Sequence, residues 1–145
     1  MRVSAAIVLV VAVASTAFAV APDVQADYDK AYALYCEGKY AEARDAFGVV
    51  LAKDPVGSFA DNCQYWIGET HFSQKDYRAA VTAFRKVFTF ADNNKEADSQ
   101  LKLGHCFLSL GQREQAVVEF TLTTTLYPGS PAAERAAAEL RRLGR

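Results

Sequence analysis

Three alanines set a period that a single compact core does not need. Ala43, Ala80 and Ala116 lie 37 and 36 residues apart. Each is followed four residues later by a phenylalanine (Phe47, Phe84, Phe120) and preceded three residues earlier by Tyr40, Tyr77 or Arg113. Twelve positions before each alanine stands a small residue, Ala31, Gly68 or Gly104, and nine before it stand Leu34, His71 and Phe107. Self-similarity at this spacing belongs to stacked helical hairpins, in which each unit buries its apolar face only against its neighbours.

Each unit reads as two helices joined by a tight turn. Gly38, Lys75 and Gly111 occupy the same turn position, where a helix often ends in a left-handed residue. Lysine in that conformation costs about 1 kcal/mol. The small residue of the first helix is expected to face the alanine of the second, with the phenylalanine filling the wedge one turn later. Pro55 and Pro128 end the second helices of units one and three, and Ala91-Asp92-Asn93-Asn94 is expected to end that of unit two. After the third unit, Ala132, Ala133, Ala136, Ala137, Leu140 and Leu143 form one helical stripe behind Glu134, Arg135, Glu139, Arg141 and Arg142. Pro131 suits a first helical position, and a solenoid needs such a polar-backed cap. The reading is all-α: seven helices in a right-handed solenoid of three repeats at about 24–57, 58–93 and 94–130, with a capping helix at 131–143.

The N-terminus reads differently. Met1-Arg2 is followed by an apolar run from Ala5 to Ala14, then Ser15-Thr16 and Ala17-Phe18-Ala19. This is the layout of a secretory signal over residues 1–19, and the run is about half the length a spanning helix requires. Cleavage is expected between Ala19 and Val20, leaving a short segment, 20–26, before a repeat domain over 27–145. No cysteine stands near the cleavage point for lipidation, so stable membrane insertion after cleavage is not expected.

The residues that carry the repeat resemble tetratricopeptide (TPR) repeats. Cys63-Gln64-Tyr65-Trp66-Ile67-Gly68-Glu69 with Lys75-Asp76-Tyr77-Arg78-Ala79-Ala80 is the more specific stretch, joined by Leu101-Lys102-Leu103-Gly104, Leu108-Ser109-Leu110-Gly111-Gln112 and Tyr127-Pro128-Gly129-Ser130. Together they resemble the C-terminal TPR domain of the Tol–Pal-associated periplasmic YbgF/CpoB family. That resemblance implies a periplasmic adaptor linked to outer-membrane constriction at cell division, with a protein or peptide segment of the cell envelope as partner. The family's trimerising coiled coil has no heptads to match it ahead of these repeats, and the oligomeric state stays open.

Composition narrows the other functions. With 16 basic and 17 acidic residues and a net charge of -1, there is no basic stripe to meet a phosphate backbone, so nucleic acid is excluded as a partner. The chain has no phosphate-binding glycine loop and no hydrolase or zincin motif. His71 and His105 lie in different units, so no metal, cofactor or enzymatic activity is expected. Three cysteines leave at least one unpaired. Their repeat positions set Cys36, Cys63 and Cys106 too far apart for any disulfide, and all three are expected to act as small buried filler.

What remains is a surface. In TPR proteins the second, fifth, ninth and twelfth residues of each unit look into the concave groove. The resemblance therefore assigns Gln25, Tyr28, Tyr32 and Tyr35 from unit one, Asn62, Tyr65, Glu69 and Phe72 from unit two, and Asp98, Leu101, His105 and Leu108 from unit three. The aromatic stripe has two readings, core packing or a peptide-binding surface. The second is favoured, because the other helix face already supplies a core. The clustered Lys and Asn of carboxylate-clamp repeats are missing, which disfavours a C-terminal acidic peptide. Alternatives to the Tol–Pal adaptor are an adaptor in outer-membrane protein assembly or another secreted complex, and an enzyme-associated or ligand-sequestering accessory protein.

Overall fold

The computed structural model describes residues 22–91 and 93–145. Among them are seven helices and no strand: α1 (Pro22–Cys36), α2 (Tyr40–Lys53), α3 (Ala60–Ser73), α4 (Tyr77–Val87), α5 (Glu96–Ser109), α6 (Arg113–Leu126) and α7 (Pro131–Arg142). They pair as α1/α2, α3/α4 and α5/α6, and each second helix packs on the first helix of the next unit. α7 lies on α6 and touches α5, where the first helix of a fourth unit would be. The expected secretory signal and its cleavage point lie outside the described residues. No described helix is long and apolar enough to cross a membrane.

The three turns are built alike. Gly38, Lys75 and Gly111 all have positive φ, 77°, 63° and 74°. At each, two backbone N–H groups return to the helix just ended, as when Lys75 donates to the Phe72 carbonyl and Asp76 to that of His71. These bonds satisfy carbonyls that a helix end leaves open, and they hold Lys75 in the left-handed region despite its side chain. Asp76 then accepts a bond from the Ala79 N–H and starts α4.

Phe47, Phe84 and Phe120 are wholly buried, together with Ala43, Ala80 and Ala116. At the small residues of units two and three, the nearest neighbour is the phenylalanine ring. A Cβ on Gly68 would fall 2.6 Å from the Phe84 ring, and one on Gly104 would fall 2.4 Å from that of Phe120. The glycine makes room for the ring itself, so helix and aromatic are packed at closest approach. Unit one carries Ala31 instead, and there Phe47 lies against Tyr28 and Trp66 at 5.7 and 6.3 Å between ring centres.

The helix ends follow the expected punctuation. α2 and α6 stop just before Pro55 and Pro128. α4 stops at Val87, whose carbonyl accepts a 2.6 Å bond from the Asn93 side chain. Asn94 donates its N–H to Asp61, a 2%-exposed carboxylate on α3, and so ties this turn back to the first helix of unit two. Asp92 lies outside the described residues. Ser130 accepts from the Ala133 N–H ahead of Pro131, and Ala132, Ala133, Ala136 and Leu143 are buried while Glu134, Arg135, Arg141 and Arg142 are exposed. The Arg113 guanidinium donates to the Leu143 carbonyl at 2.6 Å and fastens the end of the cap.

All three cysteines are free. Cys63 and Cys106 are buried, and burial pushes both thiols up to about 12, so they remain neutral apolar filler. Cys36 is not filler: it ends α1 exposed.

Candidate functional site: the inner face of the helical stack

First helices lie side by side along the inner face, with α1 against α3 and α5 against α7. The centre of the aromatic surface is Trp66. Its ring lies 4.9 Å from both Tyr32 and Tyr35 and 5.5 Å from Tyr65, and its indole N–H donates to the Tyr28 hydroxyl at 2.9 Å. Trp66 is sixth in its unit, so the groove positions implied by the resemblance passed over it. Its being the only tryptophan in the chain was the available signal.

The tyrosine stripe divides between core and surface. Tyr28 stacks on Phe59 at 4.7 Å and packs edge-on to Phe47, which places it between the helices of units one and two. Burial raises its hydroxyl pKa, while the bond from Trp66 lowers it. Tyr35 is half-buried, its hydroxyl 3.3 Å from that of Ser73. Tyr32 is open, at 41% exposure. Tyr65 is half-buried against Phe84 at 5.6 Å, with the Lys95 ammonium 5.7 Å from its ring centre. Phe72 lies edge-on to Tyr77 at 5.3 Å, with the Lys102 ammonium 5.1 Å from its ring.

Unit three contributes less to the surface than expected. Leu101, at 3% exposure, belongs to the core with Phe84 and Phe107; α7 lies over this part of α5 as a fourth first helix and covers it. Leu108 is half-buried against the same cluster. His105 packs edge-on to Phe120 at 5.2 Å. Glu69 is 7% exposed; one oxygen takes a 2.8 Å bond from Lys102 and the other has no partner. Burial raises the Glu69 pKa and Lys102 draws it back. Gln25 is exposed and bonded to Asp29, and Asn62 bonds Asp61.

Between α3, the start of α5 and the start of α7 lies a cavity of about 490 Å³. Tyr65 and Trp66 form one wall, Asn94, Lys95, Ala97 and Asp98 the second, and Ser130, Pro131, Ala132 and Arg135 the third. Sequence reasoning missed Lys95 and Arg135, since one lies in a connection between units and the other in a segment read only as a cap.

Both histidines are held below their ordinary pKa of 6.5, chiefly by burial. Around His105, Glu139 opposes that shift and Lys102 and Arg142 add to it. The folded state therefore binds protons less readily than the unfolded chain. The stability so linked is present above about pH 6.5 and is lost as the pH falls below it. Buried Glu69 acts in the opposite direction, since its penalty fades as it protonates. Between about pH 7.5 and 5.5 the melting temperature is expected to fall, and His105→Gln is expected to flatten that slope. An identical slope in the variant would assign the effect elsewhere.

Two family models, both described as tetratricopeptide repeat, match residues 28–94 and 98–130. No match is found among curated proteins. Among solved structures, the Yersinia enterocolitica type III secretion chaperone SycD, in complex with a peptide of the translocator YopD, superposes with a TM-score of 0.74 at 18% identity, covering 86% of this chain and 94% of that one. The first TPR of Spaghetti (RPAP3), bound to the HSP90 peptide SRMEEVD, gives 0.68 at 19% identity over 83% and 90%. The Arabidopsis OM64 TPR domain gives 0.67 at 16% identity over 82% and 94%. With three equivalent turns, three buried phenylalanines in register and family models over most of its length, this chain belongs to the tetratricopeptide repeat family.

Proposed function

We propose that this protein is an exported, non-enzymatic interaction module that holds an extended segment of an envelope protein against the inner face of its repeats. The observation that carries this reading is the aromatic cluster around Trp66, with Tyr32 open to solvent above it. Phe47, Phe84 and Phe120 already fill the interior beneath it. Tyrosine and tryptophan offer large contact areas with a polar handle, and solenoids use their concave side for extended ligands. Export rests on the signal-like residues 1–19, and the Tol–Pal-type adaptor role on the sequence resemblance.

A second reading, an escort for a secreted polypeptide, draws support from the likeness to SycD, which is described with a peptide of its translocator. Both readings use the same face. Tyr32→Ala is expected to leave helicity and melting nearly unchanged, because the ring is exposed, and to weaken capture of the partner from the envelope fraction about tenfold or more. Undiminished capture by a folded Tyr32→Ala protein would remove the inner face from the interaction. Tyr65 is unsuited to this test, since it packs on Phe84.

A further inference from the structure

The inner face ends in the cavity between α3, α5 and α7, and its chemistry narrows the partner. Tyr65 and Trp66 give it an aromatic wall, Ala97 and Pro131 apolar corners, and about 490 Å³ is room for a ring side chain. Lys95 and Arg135 stand on the two other walls, and neither is in an ion pair with a described residue. The Lys95 ammonium lies over Tyr65, and Arg135 is exposed in the cap's first turns. Asp98 is the one acidic group in the lining, so the cavity carries one net positive charge in a chain whose net charge is negative. A cavity with an aromatic wall and one surplus cation complements a ring beside a single carboxylate, whereas a run of acids would meet Asp98.

We propose that this cavity binds an aromatic side chain of the partner with one Asp or Glu next to it in an extended internal segment, the ring against Tyr65 and Trp66 and the carboxylate between Lys95 and Arg135. The proposal rests on the inner-face reading and names the partner chemistry at one end of it. The two cations come from the connection ahead of α5 and from the cap.

The test uses fluorescein-labelled, C-terminally amidated peptides, each with one Phe flanked by Asp, by Ser or by Lys. Their binding is followed by anisotropy on the purified protein, Lys95→Glu, Arg135→Glu, the double reversal that combines Lys95→Glu with Arg135→Glu, and Tyr32→Ala. Arg135 is exposed and Lys95 half-buried over Tyr65; an acid at position 95 suits the start of α5, and melting serves as the fold control. The Asp-flanked probe is expected to bind at least about tenfold more tightly than the others, to weaken with added salt, and to lose that advantage in either reversal. The Lys-flanked probe is expected to gain in the double reversal. Equal binding of the three probes, or an Asp-flanked probe indifferent to both reversals, overturns the proposal. If all probes then still depend on Tyr32, the inner-face reading survives it. If no amidated probe binds, the proposal falls whatever Tyr32 does in partner capture.

Discussion

Phe84→Ala is expected to destabilise the protein by about 3–5 kcal/mol, enough to threaten a domain of ordinary stability. The ring is fully buried in the middle unit, against Tyr65 and over the backbone of Gly68. Gly68 has no side chain to move into the space, so the cavity cannot collapse easily. The pairing of ring and glycine gives a sharper form of the test. Gly68→Ala alone puts a Cβ 2.6 Å from a ring atom and overpacks the interface. In the Phe84→Ala background the same methyl enters empty space, and the better helix propensity of alanine, worth about 1 kcal/mol, is expected to emerge as stabilisation. Urea unfolding of the two single variants and the double variant measures the coupling. Additive effects would show that the glycine is not there for the ring.

Deleting Pro131–Arg145 is expected to be as damaging in a different way. The deletion removes Ala132, Ala136 and Leu143 from the cluster that contains Phe107 and Phe120, and it removes the carbonyl that Arg113 holds. Unit three then presents an apolar flank to water, and a repeat array without a polar end loses solubility and cooperativity. The truncated protein is expected to melt broadly and at lower temperature, with self-association seen in sedimentation. A sharp transition at the original temperature would make the cap dispensable.

Much of the fold was legible in the sequence because the features that specify it are local and repeat. Gly38, Lys75 and Gly111 could be aligned by counting, and their left-handed geometry follows from helix-end hydrogen bonding alone. Even Lys75, the wrong residue type for that geometry, was placed by its register with its neighbours. The proline stops and the start of α7 at Ser130-Pro131 were equally readable.

The inner face was less legible. Its positions were assigned by counting along one helix, but exposure depends on what lies across from each side chain. Tyr28, Tyr32 and Tyr35 share a helix face, yet Phe59 and Trp66 take Tyr28 into the packing while Tyr32 stays open. Leu101 is equivalent in register to Tyr28 and Tyr65 and is buried because α7 is stacked beyond α5. The meeting of Lys95 with Arg135 across one cavity joins two elements about forty residues apart, and no period relates them.

The sequence alone determined the all-helical repeat architecture, its turns, its buried phenylalanines and its cap, since these depend on backbone geometry and on hydrophobic spacing within a unit. Only the tertiary structure decided how closely glycine and ring approach, that Trp66 is the centre of the aromatic surface, and that two cations share a cavity with it. Those arrangements depend on distances between helices, and stacking sets these from side-chain volumes contributed by both partners.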